Sequence, residues 1–187
     1  MKTRKTIVLL IGESGSGKSW IANLLKQRGI AEALSNTTRF PRKGEIDGVH
    51  YNFISREDWN SDELIEETKF GGNFYGLSLS ELDKSDEDLV IVVEPKGAQQ
   101  IVDFVKENKP EMDTFLVYID IPLEQRIENM ISRGDSEEVI EKRVAEDNIS
   151  ERMEESGLIP NITITKVLKK PDSYIINMLG MFKKNMQ

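Results

Sequence analysis

A glycine-rich segment of the chain has the residue types and spacing to hold a chain of phosphates. It fits the pattern G-x-x-x-x-G-K-[ST] and reads Gly12-Glu13-Ser14-Gly15-Ser16-Gly17-Lys18-Ser19. Its glycines permit positive φ, and its successive backbone N–H groups, with a helix N-terminus, form an anion cradle. In this pattern Lys18 reaches the β- and γ-phosphates and the Ser19 hydroxyl is a ligand of Mg²⁺. The loop therefore predicts binding of a nucleoside triphosphate with magnesium, with residues 12–19 as the site.

A second group of residues able to hold phosphate follows further along the chain. Arg39 and Arg42 flank Pro41, whose ring stiffens the segment between them, and Lys43 adds a third positive charge. Two guanidinium groups at a fixed spacing suit a phosphate dianion, because each presents a planar fork of N–H donors. The hydroxyl of Tyr51 is a further candidate donor. The sequence therefore predicts a second phosphate site, separate from the glycine-rich loop.

The elements that must position the loop alternate between strand and helix. Residues 6–11 are a continuous apolar, β-branched run, typical of a strand buried on both faces, and a helix from Trp20 follows the loop. Further strands are predicted at 89–93, 115–119 and 162–165, and further helices at 98–107, 123–132, 137–152 and 173–183. This alternation predicts an α/β fold with a parallel sheet and helices on both faces.

Residues 35–82 break the alternation. They are rich in Thr, Gly, Arg, Tyr and Asn, and they predict short strands at 49–54 and 73–79 around a helix at about 56–69. We therefore expect an insertion beside the core and not a second folding domain.

Composition excludes several classes of protein. The 187 residues, 38% of them hydrophobic and 31% charged, favour one globular domain. No apolar run approaches the roughly 20 residues of a membrane-spanning helix, and no signal peptide is recognised. The chain has no cysteine, which excludes disulfides and thiolate metal sites and favours the cytoplasm. A net charge of −8 argues against non-specific nucleic-acid binding, so small nucleotides are the expected partners.

The order of several motifs resembles that of the guanylate kinase family. The family's T-T-R-x-P-R signature is matched by Thr37-Thr38-Arg39-Phe40-Pro41-Arg42, followed by Gly44-Glu45 and Tyr51. Its G-N-Y-Y-G element resembles Asn73-Phe74-Tyr75-Gly76, and its D-x-Q-G-A strand exit resembles Glu94-Pro95-Lys96-Gly97-Ala98. Its lid pattern resembles Arg133-Gly134, Ser136-Glu137-Glu138 and Lys142-Arg143. The match keeps the family's order from about residue 7 to residue 147, which is most of the chain.

The resemblance implies a P-loop NTPase-type parallel sheet with an inserted monophosphate-binding region and a helical lid. It also implies a kinase that transfers the γ-phosphoryl group of ATP, with Mg²⁺, to (d)GMP or a related nucleoside monophosphate. The single domain would comprise a core (1–34, 83–122 and 153–187), an insertion (35–82) and a lid (123–152). A monomer and a homodimer are both compatible with it.

The resemblance also implies a role for each matched residue. The acceptor phosphate would be held by Arg39, Arg42, Tyr51 and Tyr75. Ser35 would touch the acceptor base, and Glu94, with Gly97 beside it, would lie by the ribose and the water shell of the magnesium. Arg133 and Arg143 would reach over the transferring phosphoryl group from the lid, opposite Lys18.

The base-binding region departs from the family pattern. Only Gly71-Gly72 separates Phe70 from Asn73, where the family has a longer connection that contains a guanine-binding Glu. That Glu is expected to be missing, unless Glu66 or Glu67 replaces it.

Positions 77 and 92 also differ from the family pattern. Leu77 stands where the family commonly has a small hydroxyl residue, and Val92 stands where it often has an acidic one. GMP and dGMP remain the first candidates as acceptor, but the sequence predicts a relaxed or shifted choice of base.

Other functions stay open at this point. A non-catalytic guanylate-kinase-like module that binds phosphorylated partners is one, although such modules typically have a degraded phosphate loop. A GTPase or ATPase switch is another, but it has no need of Arg39 and Arg42. Among single residues, Trp20 and Trp59 are expected to pack, and His50 is expected to be a loop residue.

Overall fold

The computed structural model describes residues 4–42, 44–84 and 86–185; Lys43, one of the predicted cations, lies outside these ranges. Its strands are β1 (Lys5–Gly12), β2 (Ala31–Glu32), β3 (Asn36–Thr37), β4 (Asn52–Phe53), β5 (Leu64–Phe70), β6 (Asn73–Ser78), β7 (Leu89–Val92), β8 (Met112–Ile119) and β9 (Ile162–Ile164). Its helices are α1 (Lys18–Lys26), α2 (Leu79–Asp83), α3 (Pro95–Asn108), α4 (Leu123–Ser132), α5 (Glu137–Glu146), α6 (Ile149–Ser156) and α7 (Pro171–Asn185).

The central sheet explains why residues 6–11 are apolar at nearly every position. In the described part of the chain it has five strands in the order β2-β7-β1-β8-β9, and every neighbouring pair is parallel. Ile7 and Leu9 of β1 belong to a core cluster with residues of α3 and α6. Val8 and Leu10 belong to a second cluster, with residues of α1 and α7. Because helices cover both faces, the middle strand has no solvent side.

The inserted region forms a second sheet, and here one prediction is wrong. Among the described residues this sheet has the order β4-β3-β6-β5. The predicted helix at 56–69 is absent there; a short 3-10 turn at Ser61–Glu63 leads into β5, which pairs antiparallel with β6. Gly71 and Gly72 have φ of 55° and 77°, and positive φ at both positions permits a two-residue hairpin turn. The hairpin therefore overrides the helix propensity of the Glu-rich run before it.

The helices after β8 also differ from the prediction. The single helix expected at 137–152 is two helices, because α5 ends at Glu146 and α6 begins at Ile149. Asp147 is extended, with ψ of 126°, and Asn148 occupies the N-cap position of α6 without a side-chain capping hydrogen bond among the described residues. Asp and Asn favour such caps over helix interiors, since their side chains compete for backbone hydrogen bonds. In the described ranges, no helix is long and apolar enough to cross a membrane.

Candidate active site

A cleft of about 1340 Å³ opens beside the glycine-rich loop, at the carboxyl ends of β1 and β7. It is lined by loop residues 14–19 and by most of the predicted acceptor and lid residues: Ser35, Arg39, Arg42, Tyr51, Tyr75, Glu94, Arg133 and Arg143. The predicted residues Gly12, Glu13 and Gly97 are not among those that line it. The fold therefore gathers into one cleft three sets of residues that are far apart in the sequence.

The glycines of the loop are required for two different reasons, close packing at Gly12 and Gly15 and backbone conformation at Gly17. A Cβ atom on Gly12 would lie 2.5 Å from the Ile119 carbonyl oxygen, and one on Gly15 would lie 2.4 Å from that of Arg126. These two glycines therefore allow the loop to pack against β8 and α4. Gly17 has φ of 92° and is the N-cap residue of α1, where no described side chain caps the helix. The N–H groups of the first turn of α1 are thus left for an anion.

Lys18 is folded back onto the loop. Its Nζ donates hydrogen bonds to the Gly12 oxygen at 2.5 Å and to the Glu13 oxygen at 2.8 Å. Burial lowers the pKa of Lys18 to about 8, although the carboxylates of Glu94 and Asp147 oppose the shift. A buried ammonium of this kind gains most from a ligand that brings negative charge.

Glu13 turns its side chain away from the cleft. Its Oε1 accepts hydrogen bonds from the backbone N–H groups of Ile149 at 2.7 Å and Ser150 at 3.4 Å, at the start of α6. Burial raises the pKa of Glu13, and the charge of Asp147 adds to the rise. Glu13 therefore ties the loop to α6 with its side chain, whereas its main chain holds Lys18.

Three residues that the sequence did not reveal hold the loop from the other side. Asp147 accepts from the Ser14 N–H at 3.2 Å and from Arg126 Nη1 at 2.6 Å, and Asn129 Nδ2 donates to the Gly15 oxygen at 2.8 Å. These partners stand 112 to 133 residues from the loop in sequence. Separations of this size leave no local pattern, so no motif could have identified them.

The predicted acceptor arginines are held by a carboxylate. Arg39 donates from Nη1 and Nη2 to the two oxygens of Glu45, at 2.8 and 3.1 Å, and its Cζ lies 5.3 Å from the centre of the Tyr51 ring. The side chain of Arg39 is only 12% exposed, so its fork has a fixed direction. Glu45 also accepts from the Arg42 N–H at 2.6 Å. Burial raises the pKa of Tyr51, which keeps its hydroxyl a donor.

The lid arginines share one carboxylate. Arg133 Nε donates to Oδ2 of Asp135 at 2.7 Å, and Arg143 Nη1 donates to the same oxygen at 2.9 Å. Asp135 thus keeps two guanidinium groups side by side at the wall of the cleft, in spite of their mutual repulsion. Glu94, which also lines the cleft, accepts at Oε2 from Arg152 Nη1 at 2.9 Å.

Glu66, one of the two residues considered as a replacement for the missing Glu, is a buried carboxyl group at the cleft. It lies on β5, is 4% exposed, and lines the cleft with Ser35 and Glu94. A Cβ atom on Gly97 would be 2.7 Å from its Oε2, so Gly97 makes room for this carboxyl group. Burial raises the pKa of Glu66 to about 7, and the charge of Glu67 adds to the rise. Residues 64–70 form a strand and not the predicted helix, so Glu66 and Glu67 point to opposite faces and only Glu66 lines the cleft.

Glu67 does not replace Glu66 at the cleft. Its Oε1 accepts from Trp59 Nε1 at 3.2 Å, on the other side of β5. The alternation of side chains along a strand separates the two glutamates. Leu77, where a hydroxyl was expected, is fully buried in the core and has no polar side-chain atom to offer, although its backbone hydrogen-bonds the carboxyl group of Glu66.

The expectations for Trp59 and His50 are met, whereas the expectation for Trp20 is not. Trp59 stacks on Phe74 with ring centres 5.5 Å apart, which confirms that it packs. His50 accepts from the Ile46 N–H at 3.1 Å within its own loop, as expected. Trp20 was expected to pack, but it is 52% exposed and lines the cleft. The buried face of α1 is already occupied by Ile21, Ala22 and Leu25, which leaves position 20 outside the core.

The residues fit a nucleoside triphosphate with magnesium. The loop offers backbone N–H groups, the Lys18 ammonium and the Ser19 hydroxyl along one wall of the cleft. The described residues contain no cluster of three or more Asp, Glu, His or Cys that could hold a metal ion by themselves. Magnesium at nucleotide sites does not require one, because it keeps several waters and takes its other ligands from phosphates.

Comparison with known proteins places this site in a family. A family model of guanylate kinase matches residues 3–177. The guanylate kinase of Histophilus somni is 34% identical over 181 residues, covering 88% of this chain and 84% of its own length. That of Haemophilus influenzae is 37% identical over 186 residues, covering 90% and 86%.

A solved structure extends the likeness to the fold. The crystal structure of guanylate kinase from Anaplasma phagocytophilum matches with a TM-score of 0.65 and covers 97% of this chain and 88% of its own. Its sequence identity is 23%, so this likeness bears on the fold alone. It confirms the predicted α/β architecture, and the family model and the relatives confirm the predicted family. The chain belongs to the guanylate kinase family and is a nucleoside monophosphate kinase.

Proposed function

We propose that this chain transfers the γ-phosphoryl group of ATP to GMP or dGMP, giving ADP and the nucleoside diphosphate. The observation that carries the proposal is the position of Glu66, a buried carboxyl group in the same cleft as the glycine-rich loop and the arginine pair. Guanine presents two adjacent donors, N1–H and its amino group, and one carboxylate accepts both. Adenine has no N1–H donor, so it would leave the buried carboxylate poorly satisfied.

The phosphate-binding residues divide into a donor and an acceptor set. Residues 12–19, Lys18 among them, would hold the donor phosphates, and Arg39, Arg42, Tyr51 and Tyr75 would hold the acceptor phosphate. An oxygen of the acceptor phosphate attacks the γ-phosphorus, and the bond from this phosphorus to the bridging oxygen of ADP breaks. The attacking oxygen is already ionised, so no general base is required. The protein's task is to align the reactants and supply positive charge, from Lys18, Arg133 and Arg143.

The metal belongs to the same proposal. Magnesium would supply positive charge that offsets the charge of the donor phosphates. The Ser19 hydroxyl would hold it, and Glu94 would face its water shell. A cytoplasmic location, with nucleotides as partners, completes the proposal.

The non-catalytic alternative has no observation in its favour. The loop retains its glycines, Lys18 and Ser19, and both lid arginines reach the cleft. The relatives named above are all called guanylate kinase. A kinase with another base specificity stays as the second candidate, because Leu77 removes one expected polar contact.

The test is turnover with ATP, Mg²⁺ and a panel of GMP, dGMP, AMP, dTMP, dUMP and dCMP, with ADP and each diphosphate measured by chromatography. We expect kcat/KM for GMP and dGMP to exceed that for AMP by at least about a hundredfold. Release of ADP without any diphosphate would indicate an ATPase, and tight GMP binding without turnover would indicate a binding module.

Lys18→Ala provides the matching variant. We expect it to fold and to lose phosphoryl transfer, because charge on the β- and γ-phosphates is left uncompensated. The matched control is Lys26→Ala, which removes a surface lysine of the same helix that pairs with Glu32 at 3.0 Å. The control should keep full activity.

A further inference from the structure

Thr68 shares the cleft-facing side of β5 with Glu66. The two residues are two positions apart on one strand, so their side chains project from the same face. Both line the cleft. On the neighbouring strand β6, Glu66 is opposite Leu77 and Thr68 is opposite Tyr75. Thr68 therefore lies beside the carboxyl group assigned to the base, at the next inward position of the same strand.

The hydroxyl of Thr68 lacks a partner in the described part of the chain. Its Oγ1 is buried and makes no hydrogen bond there. A buried donor without an acceptor is destabilising, so native proteins rarely keep one without a reason. Because the side chain lines the cleft, rotation about χ1 to another staggered position can turn the hydroxyl towards a ligand without moving the strand.

The adjacent strand lacks a hydroxyl at the position where one was expected. Leu77 is fully buried and packs into the core, so β6 offers the base no side-chain donor at this point. A residue of that type on the neighbouring strand β5, which also lines the cleft, is Thr68. The polar contact expected from β6 is thus available from β5.

We propose that Thr68 determines base specificity by donating a hydrogen bond from its hydroxyl to the 6-oxygen of guanine, while Glu66 accepts from N1–H and the amino group. This inference rests on the proposed function. The three groups of guanine follow each other along one edge of the base, and Glu66 and Thr68 follow each other along one strand. Adenine carries an amino group in place of the 6-oxygen, and a hydroxyl can accept from it, so Thr68 discriminates against adenine only together with Glu66, which finds no N1–H donor on that base.

Thr68→Val tests the contact with little change of shape. Valine replaces the hydroxyl with a methyl group and is a good strand residue, so the fold should persist. We expect kcat/KM for GMP to fall by about tenfold, the value of a typical hydrogen bond, and Thr68→Ser to restore most of it. The matched control is Thr6→Val, because Thr6 also has a buried and unpartnered hydroxyl but lies in β1, away from the cleft. The control should leave kcat/KM unchanged.

A substrate series identifies the atom that Thr68 contacts. With the monophosphate of 2-aminopurine riboside, which has no 6-oxygen, wild type and Thr68→Val should have the same kcat/KM. With 7-deaza-GMP, which keeps the 6-oxygen, the variant should lose about the same tenfold as with GMP. An equal loss on GMP and on the 2-aminopurine substrate, or no loss on GMP at all, would overturn the role of Thr68.

These measurements distinguish a wrong assignment of the function from a wrong assignment of Thr68 alone. A wild-type protein that does not phosphorylate GMP contradicts the proposed function. A wild-type protein that does so, together with a folded Thr68→Val variant of unchanged kcat/KM, contradicts only the role of Thr68. Circular dichroism and the melting temperature show whether the variant is folded.

Discussion

Arg152 Nη1 lies 2.9 Å from Oε2 of Glu94, and this ion pair connects helix α6 to the wall of the cleft. At the start of the same helix, the backbone N–H of Ile149 donates a hydrogen bond to the carboxylate of Glu13, which belongs to the glycine-rich loop. Helix α6 therefore contacts the glycine-rich loop at its first turn, through Glu13, and contacts Glu94 one turn later, through Arg152. In this way the helix links the position of Glu94 to that of the glycine-rich loop.

The first prediction follows from that connection. Arg152→Ala should lower kcat by roughly tenfold with little change in the KM for ATP, because Glu94 loses its orientation but the loop does not. Both side chains are about one third exposed, at 33% and 35%, so stability should change little. Steady-state kinetics and the melting temperature test it, with Arg152→Lys expected to recover part of kcat. The control is Arg28→Ala, which breaks a partly buried pair of 3.0 Å with Asp172, and neither residue of this pair lines the cleft.

The second prediction concerns pH. The Glu66 carboxyl has a pKa of about 7 in the free protein, and only its ionised form accepts both guanine donors. Consequently kcat/KM for GMP should fall as the pH drops below about 7. Lys18 has a pKa of about 8 and must be protonated to bind phosphates, so kcat/KM for ATP should fall as the pH rises above about 8.

Two separate pH profiles test these assignments, one with GMP varied and one with ATP varied. Glu66→Gln should remove the acidic limb of the GMP profile and leave the alkaline limb of the ATP profile in place. An acidic limb that persists unchanged in Glu66→Gln would show that another group titrates.

The third prediction separates the two phosphate sites. Arg39→Ala and Arg42→Ala should weaken GMP binding by about 10- to 100-fold, as expected for a charge-assisted hydrogen bond. ATP affinity should stay within about twofold, because neither side chain belongs to the loop. Arg39→Lys should not rescue binding, since a lysine cannot reproduce the fork that Glu45 aligns. Calorimetric titration with each nucleotide tests this, and a parallel loss of ATP affinity in both alanine variants would contradict the two-site arrangement.

The fourth prediction concerns motion. We expect residues 35–82 and the lid at 123–152 to approach each other when both substrates bind, because closure excludes the water that would otherwise accept the phosphoryl group. The chain has no cysteine, so two introduced cysteines can be labelled uniquely. Labels at Val49→Cys and Glu141→Cys should come closer by several ångströms with a bisubstrate inhibitor.

The matched control for closure places both labels in the core. Labels at Lys26→Cys in α1 and Lys106→Cys in α3 should keep their distance when the inhibitor binds. If the first pair also keeps its distance, the insertion and the lid do not close.

The sequence by itself determined the glycine-rich loop and the middle strand of the sheet. The loop is one continuous segment, and its conformation follows from glycines at fixed positions. The strand before it is apolar throughout because both its faces are covered, and this pattern can be recognised locally. The order of the motifs likewise indicated the family, which the comparisons confirm.

The tertiary structure decided which carboxylates face the cleft. Glu66 and Glu67 are neighbours in a Glu-rich run with helix propensity, and only the pairing of β5 with β6 makes that run a strand. The strand sends Glu66 to the cleft and Glu67 to Trp59, a separation that a helix would not produce. Asp147 and Glu13 also acquire their partners only when the helices after β8 fold onto the loop. Such contacts depend on strand pairing and helix packing between distant segments, so local sequence patterns do not encode them.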